Sequence, residues 1–448
     1  MQVDAKNKLA LIFFPAFDWA ISPTHPEREE RLLYTKDQIL EEGILDIMGI
    51  EEYNPIVATK EDVARTHICV PDIDAVVTMP HLISAGGAIK AGELVMEGEV
   101  DKAFAIIRPP GHHAFQIVHG ARGFCTINNE AIMVEHLRQR YGSDLRIAFV
   151  DTDAHHADGT QNIYYNDPNV LHISLHQDGR SLYPGTGFIN DLGGPGAYGR
   201  TINLPLPPNT TDEGLLYALD NLILPILDDF NADLVINAAG QDNHYSDPLT
   251  QMRVSAQGYA ELNSRLDPDI AILQGGYSIE SALPYVNVGI ILAMAGLDYS
   301  QIKEPDYKAS IKNQSPKITD TIKENVEKLL QAWESKDKVD IKKVFNCQDY
   351  YTTKRDIYYD TANIIENQKL KIKICNQCSG LMIIDSSAHP STYNELRAII
   401  IPHDVCESCY DLGYQEYEEA KNNSEFELVY LQDKKKDRLS NYIINAIV

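Results

Sequence analysis

Three carboxylates and two imidazoles fall within nine residues of this chain, in the stretch Asp151-Thr152-Asp153-Ala154-His155-His156-Ala157-Asp158-Gly159. Oxygen and imidazole donors of this kind suit a divalent transition metal. In an extended segment Asp153 and His155 would point to the same side. A second cluster, Arg108-Pro109-Pro110-Gly111-His112-His113, presents adjacent histidines after a turn-forming Pro-Pro-Gly. Asp151 and Asp158 are available as their partners. A carboxylate on one ring nitrogen selects the tautomer and raises the basicity of the other, which is how a general base is set up. Taken singly, the first segment reads as a satisfied polar turn and the second as an ordinary histidine pair. Two such segments together argue for chemistry.

Each cluster follows an apolar run, residues 146–150 and 103–107, that reads as a buried strand. Further strands are expected at 9–14, 170–174, 234–239 and 270–273, alternating with helical patterns. That alternation predicts an α/β fold, a parallel sheet with helices on both faces. Polar loops at the carboxyl ends of such strands are where α/β enzymes place their sites.

With these motifs in order over roughly the first 300 residues, the chain resembles the zinc-dependent histone deacetylase family. That family includes acetoin-utilisation proteins and acetylpolyamine amidohydrolases. The matching blocks also include His25-Pro26-Glu27-Arg28, Gly123-Phe124-Cys125-Thr126-Ile127-Asn128-Asn129 and Ser174-Leu175-His176-Gln177. Tyr183-Pro184-Gly185-Thr186-Gly187, Ala239-Gly240-Gln241-Asp242 and Gly275-Gly276-Tyr277 complete the set, and the Tyr-Pro-Gly-Thr-Gly form is similar to the class II branch.

The resemblance implies an arginase/deacetylase-like fold and a catalytic zinc held by Asp153, His155 and Asp242. Asp247 is the alternative carboxylate nearby, although it fits the Asp-Pro-Leu turn better. His113, held by Asp158, would be the general base, and His112, paired with Asp151, would tune the charge of the site. Tyr277 would donate to the oxyanion. Phe124 and Tyr183 would line an acyl-lysine tunnel, with Leu249 at its mouth. Ser174 and the carbonyls around Asp151, Asp153, His155 and Leu175 would form a monovalent-cation site, suited to K+. His156 and His176 read as structural, and His244 as either. Two departures stand out: Ala157 where the family usually has Gly, and Gln274 where Glu is common.

The expected reaction is hydrolysis of the amide of acyl-lysine in a protein or peptide. The alternative substrate is an acetylpolyamine or other small acyl-amine. A non-catalytic binding scaffold is the reading from a different class, and the presence of every ligand and of Tyr277 argues against it. At the mouth, Leu249 offers no charge to a distal ammonium, which favours acyl-lysine.

The chain has 448 residues, with 39 Lys and Arg against 65 Asp and Glu, a formal charge of -26. That balance argues against broad nucleic-acid binding. No signal-peptide pattern or membrane-spanning apolar run is found, so the expected location is cytoplasmic, without a membrane partner.

After Gly296 the sequence becomes rich in Lys, Asp and Glu. Residues 318–333 have helical periodicity, with Ile322, Val326, Leu329 and Leu330 on one face. The expected organisation is a catalytic domain over 1–300, a helical linker over 301–365, and a small four-cysteine zinc-ribbon-like domain and tail over 366–448. Cys375, Cys378, Cys406 and Cys409 form two CxxC pairs, the spacing of a structural zinc site. Two disulfides or a redox motif are the competing readings. A ribbon of this size can contact protein or nucleic acid, or only stabilise a fold. The nearby Lys434, Lys435 and Lys436 read as a solvated tail. Deletion of the region after about residue 365 is expected to leave the catalytic domain folded.

Overall fold

The computed structural model describes residues 4–444, except Asp18 and Pro23. Its first ten strands are β1 (Asp4–Phe14), β2 (Met48–Tyr53), β3 (Ile68–Cys69), β4 (Lys102–Ile107), β5 (Ile117–Val118), β6 (Ile147–Asp151), β7 (Val170–Gln177), β8 (Thr201–Leu206), β9 (Leu234–Ala239) and β10 (Ile270–Leu273). Eight of them form one parallel sheet in the order β2-β1-β4-β10-β9-β6-β7-β8. All six strands expected from the apolar runs are there. β2 and β8 were not anticipated.

Strands buried on both faces need apolar residues at every position, not alternating ones. Strands β4 and β6 meet that need. Phe104, Ile106, Ala148 and Val150 join the apolar layer on one side of the sheet, and Ala103, Ala105, Ile147 and Phe149 the layer on the other. Each fully buried Phe or Ile contributes on the order of 1.5–3 kcal/mol. Helices such as Met79–Met96 cover one face, and Ala256–Leu266 and Leu283–Met294 the other.

The four central strands β4, β10, β9 and β6 are neighbours although distant in sequence. Their register places Asp151 opposite Ala238, and Leu273 opposite Ala239. The loops that leave their carboxyl ends therefore converge.

Beyond the parallel sheet, the structure corrects the expected boundaries. The helix Pro316–Ser335 is no linker: Ile322, Val326, Leu329 and Trp333 are buried in the main core. Leu330 is only partly buried at its edge. A second sheet then begins inside the expected linker, with β11 (Tyr350–Tyr359) and β12 (Ile364–Lys373), followed by β13 (Met382–His389), β14 (Glu395–Ile401), β15 (Leu428–Asp433) and β16 (Arg438–Ile443). These six strands pair in chain order, all antiparallel except β14 with β15. The boundary expected at 365/366 falls within β12.

One face of this sheet packs on the parallel-sheet unit. Ile372, Ile384, Leu396, Ile400 and Leu428 share an apolar cluster with Ile68, Val70 and Ile117, the last two elements being β3 and β5 with their flanks. Polar contacts cross the same boundary: Gln116 Nε2 donates to Gln432 Oε1 at 2.8 Å, and Tyr430 Oη to the Pro71 carbonyl at 2.8 Å. His403 Nε2 meets buried Glu135 at 2.9 Å. Removing everything after residue 365 would expose this surface and strand β11 alone. Such a deletion would leave an apolar surface of the parallel-sheet unit uncovered.

The other face is covered by the helix Glu407–Ala420, through Ile383, Ile399, Ile401, Tyr417 and Phe426. Cys375 and Cys378 lie in the turn between β12 and β13, and Cys406 and Cys409 at the start of that helix. None is disulfide-bonded. No helix among the described residues is long and apolar enough to cross a membrane.

Candidate active site

The loop after β4 carries His112 and His113, and both imidazoles are buried. His112 Nδ1 lies 3.1 Å from Asp151 Oδ2, and His113 Nδ1 2.8 Å from Asp158 Oδ1. A carboxylate only accepts, so each Nδ1 carries the proton and each Nε2 faces the site. The two rings are 4.1 Å apart. Their environments separate them. Burial disfavours the charged form of His112, but Asp153 and Asp151 override it and push its pKa up to about 9. Burial and the neighbouring His112 charge push His113 down to about 3. The two rings are thus pushed in opposite directions.

Asp153 and His155 follow β6, and Asp242 follows β9. His155 Nδ1 is 3.1 Å from Asp153 Oδ1 and 2.8 Å from Asp242 Oδ2. The three donor atoms lie within 4.8 Å of one another. Backbone amides aim both carboxylates: Gly275 N–H donates to Asp153 Oδ2 and Ala154 N–H to Asp242 Oδ1, each at 2.7 Å. Gly275 has to be glycine, because a Cβ there would lie 2.6 Å from Asp153 Oδ2 and from Asp242 Oδ2. The donor set fits a divalent cation. Two buried carboxylates converge on one imidazole with no Lys or Arg paired to them among the described residues, a charge arrangement that is costly without a cation. Asp247 is not in this group. Its oxygens accept from Leu249 N–H at 2.9 Å and Tyr277 N–H at 2.7 Å, which ties it to the turn.

Tyr277 follows β10 through the glycine turn. Arg31 stacks 4.9 Å from its ring and donates to the carbonyls of Gly276 and Gln274. Glu27, of the His-Pro-Glu-Arg block, pairs with both Arg31 and Arg108 in full burial. Gln274 is a departure with a visible purpose. Its amide oxygen accepts from the N–H groups of Gly111 and His112, and its NH2 donates to buried Glu130 at 2.7 Å. Glu130 is itself pushed up to about 7 by burial. An amide can brace the His112-His113 turn and Glu130 at once, which a second carboxylate could not.

A cavity of about 240 Å³ reaches these groups. Phe124, Tyr183 and Leu249 line it, together with His113, His155 and Tyr277. Phe124 stands at φ 70°, after Gly123 at φ 51°. A Cβ on Gly123 would come within 2.6 Å of the His113 ring, so this turn also depends on glycine.

Other expected residues are placed as follows. Ser174 and Leu175 are buried in β7, with Ser174 Oγ 2.9 Å from His176 Nδ1. His156 bridges Thr186 and Gln161, and His176 meets the Gly187 carbonyl. His244 sits between Ser246 and Glu304. Ala157, the other departure, is fully buried and precedes the helix Asp158–Tyr164.

Sequence reasoning missed two contributors. Arg122 donates to both oxygens of Asp158, at 2.9 and 2.8 Å. It lies in an irregular loop that no periodicity marks. Asp360, from the turn between β11 and β12, also lines the cavity.

The four cysteine sulfurs likewise lie within 4.8 Å of one another, with Cys406 3.7 Å from Cys375 and 3.6 Å from Cys378. A zinc tetrahedron with bonds of about 2.3 Å has an edge of about 3.8 Å, so the cluster is consistent with a zinc-ribbon-like unit.

Comparison with known proteins agrees with this architecture. The chain matches the histone deacetylase domain over residues 72–288. It is 46% identical over 312 residues to a probable deacetylase of Archaeoglobus fulgidus, covering 64% of this chain and 85% of that protein. It is 34% identical to a histone deacetylase-like amidohydrolase of Pseudomonas aeruginosa, over 50% of this chain and 60% of that one. The crystal structure of the HDA15 HD domain superposes with a TM-score of 0.62 at 26% identity, covering 76% of this chain and 97% of that chain. The chain belongs to the histone deacetylase family. It is a hydrolase of that family, and β11–β16 lie outside the matched histone deacetylase domain.

Proposed function

We propose that this enzyme hydrolyses the amide of acyl-lysine in proteins or peptides, using a zinc ion held by Asp153, His155 and Asp242. One observation carries this reading. An aromatic-walled cavity ends on the Asp153–His155–Asp242 group and on two histidines, each oriented by its own carboxylate.

When bound, zinc polarises the amide carbonyl and makes water acidic enough to lose a proton near neutral pH. The chain does the rest. Phe124 and Tyr183 pack against the aliphatic stem of the substrate and exclude water. His113 Nε2 takes the proton from the attacking water, while Asp158 and Arg122 hold the ring in the required tautomer. Tyr277 donates its O–H to the carbonyl oxygen as negative charge develops there. The amide C–N bond then breaks. His113 returns its proton to the leaving nitrogen, and the acyl group departs as a carboxylate. His112, hydrogen-bonded to Asp151 and made more basic by Asp153 and Asp151, stands beside the reacting carbonyl as a second proton-bearing group.

A monovalent cation such as K+ is assigned to Ser174 and the backbone of Leu175. Burial pushes the neighbouring His176 down to about 3, so that ring adds no competing charge. A structural zinc is assigned to Cys375, Cys378, Cys406 and Cys409. Four free thiols suit a reducing, cytoplasmic setting. Contact of the C-terminal unit with another protein or a nucleic acid would be additional to catalysis.

The uncharged Leu249 at the cavity mouth favours acyl-lysine. A small acyl-amine with a distal ammonium is the second reading, favoured by the Asp360 carboxylate at the same mouth. Turnover of a panel of acyl-lysine peptides and acyl-polyamines, with metal content measured on the same sample, decides between them. Absence of turnover on every acyl-amine by metal-replete protein would reject the reading.

A further inference from the structure

Asp360 occupies an unusual position. It belongs to the six-stranded C-terminal sheet, yet it lines the active-site cavity of the parallel-sheet unit. It is the one carboxylate among the residues described as lining that cavity; Phe124, Leu182, Tyr183 and Leu249 around it are uncharged. No salt bridge to it is found among the described residues, although the half-buried His25 imidazole is near enough to feel its charge. Its Oδ1 accepts only from the neighbouring Thr361 N–H, at 3.0 Å. Tyr183 and Asp360 line the same cavity, and burial first, then the Asp158 and Asp360 carboxylates against the opposing Arg122, raise the Tyr183 phenol.

The turn that carries Asp360 is docked, not dangling. Tyr359, next to it in sequence, is buried and donates to the Ile117 carbonyl at 3.2 Å and to Glu366 at 2.7 Å. Ile357 and Ile364 on either side pack with Phe115 and Ala388. Ala362 sits against Gly120, where a Cβ would come within 3.4 Å of it. Residues 115–120 lead directly into the Gly123-Phe124 wall, so the turn and the wall are fixed against each other.

An exposed carboxylate with no salt-bridge partner at the rim of the cavity attracts cations and rejects anions. We propose that Asp360 is a specificity-determining residue through which the C-terminal sheet selects acyl-amines bearing a second cationic group, an ammonium or guanidinium, just beyond the acylated nitrogen. This rests on the acyl-amine hydrolase reading above. The shared chemistry has two sources: a basic residue flanking acyl-lysine in a peptide, or the distal ammonium of an acylated polyamine.

The test uses the full-length, metal-replete enzyme and matched substrate pairs at low salt. One pair is acetyl-lysine peptides differing by a flanking Lys or Gln. The other is acetylspermidine against an acetylated alkylamine of equal length. The wild type should prefer the cationic member by roughly threefold to fivefold in kcat/KM, the scale of an exposed ion pair, with the difference in KM. Asp360→Asn should bring the ratio close to one, and Asp360→Lys should invert it. Equal melting temperatures for the three proteins would establish that the turn stays docked. The arm that shows the larger change identifies the source of the cation. An unchanged ratio across all three proteins overturns the inference, as does an equal loss on both members of a pair. Failure of the wild type on every acyl-amine would instead remove the underlying reaction, and this inference with it.

Discussion

Arg122 grips both oxygens of Asp158, at 2.9 and 2.8 Å, while Asp158 Oδ1 accepts from His113 Nδ1 at 2.8 Å. Burial works against the charge on Asp158, but Arg122 and His113 hold its carboxyl well below the usual range. The carboxylate is therefore ionised, immobile and pointed at one ring nitrogen. Asp158→Asn should cut kcat by roughly two orders of magnitude, the scale of a disabled general base, with metal content intact. Single-turnover kinetics with metal analysis checks this. Loss of metal in step with loss of rate would give Asp158 a different role.

Tyr277 is held by the Arg31 guanidinium over its ring and by Asp247 on its amide. Burial raises its phenol well above the usual value, so it stays protonated and able to donate. Tyr277→Phe should retain metal and lower kcat by roughly 10²- to 10³-fold, the cost of one oxyanion donor. Near-normal turnover would mean that another group stabilises the oxyanion.

Asp242 and Asp247 make separable predictions. Asp242→Ala should lose the active-site metal and keep the cysteine-bound one, halving a stoichiometry of two metals per chain. Asp247→Asn should keep both metals, since it contacts only backbone amides. It should slow turnover by loosening the Tyr277 turn. Metal analysis after gel filtration distinguishes them, and metal loss in Asp247→Asn alone would reverse the assignment.

The junction between the two sheets should be acid-sensitive through Glu135. Burial opposes its ionisation, but Lys434, His403 and Arg138 override that and hold the carboxyl below its ordinary value of 4.5. A carboxyl lowered in the folded state stabilises above its unfolded value, and that contribution is lost as pH falls through the folded one. Stability should therefore decline below about pH 4.5. Glu135→Gln should cost about 3 kcal/mol at neutral pH, because it leaves Lys434 and Arg138 short of a buried partner, and the cost should shrink on acidification. Melting curves against pH measure this. Parallel acid limbs in the two proteins would contradict it.

Much of the site was legible because its signals are local. Asp153 with His155, His112 with His113, and each CxxC pair are close in sequence, and their donor chemistry does not depend on distant packing. The apolar runs of β4, β6, β9 and β10 were equally plain, since strands buried on both faces need an unbroken apolar stretch. Strands β2 and β8 were harder. β2, Met-Gly-Ile-Glu-Glu-Tyr, is an edge strand with half of its residues exposed, and β8 contains a proline at its own sheet edge.

What the amino-acid order determined by itself is therefore the kind of chemistry, the strands that deliver it and the four-cysteine cluster. Only the tertiary structure decided the rest. The strand order β4-β10-β9-β6 brings Asp242 and Tyr277 to residues more than 80 positions away. Loop packing joins Arg122 to Asp158 and turns the Gln274 amide into a brace for the His112 loop, and docking of the second sheet carries Asp360 to the cavity mouth. Periodicity and ligand spacing are properties of a few consecutive residues, whereas these contacts depend on how separate apolar faces pack, and no short stretch of sequence encodes that.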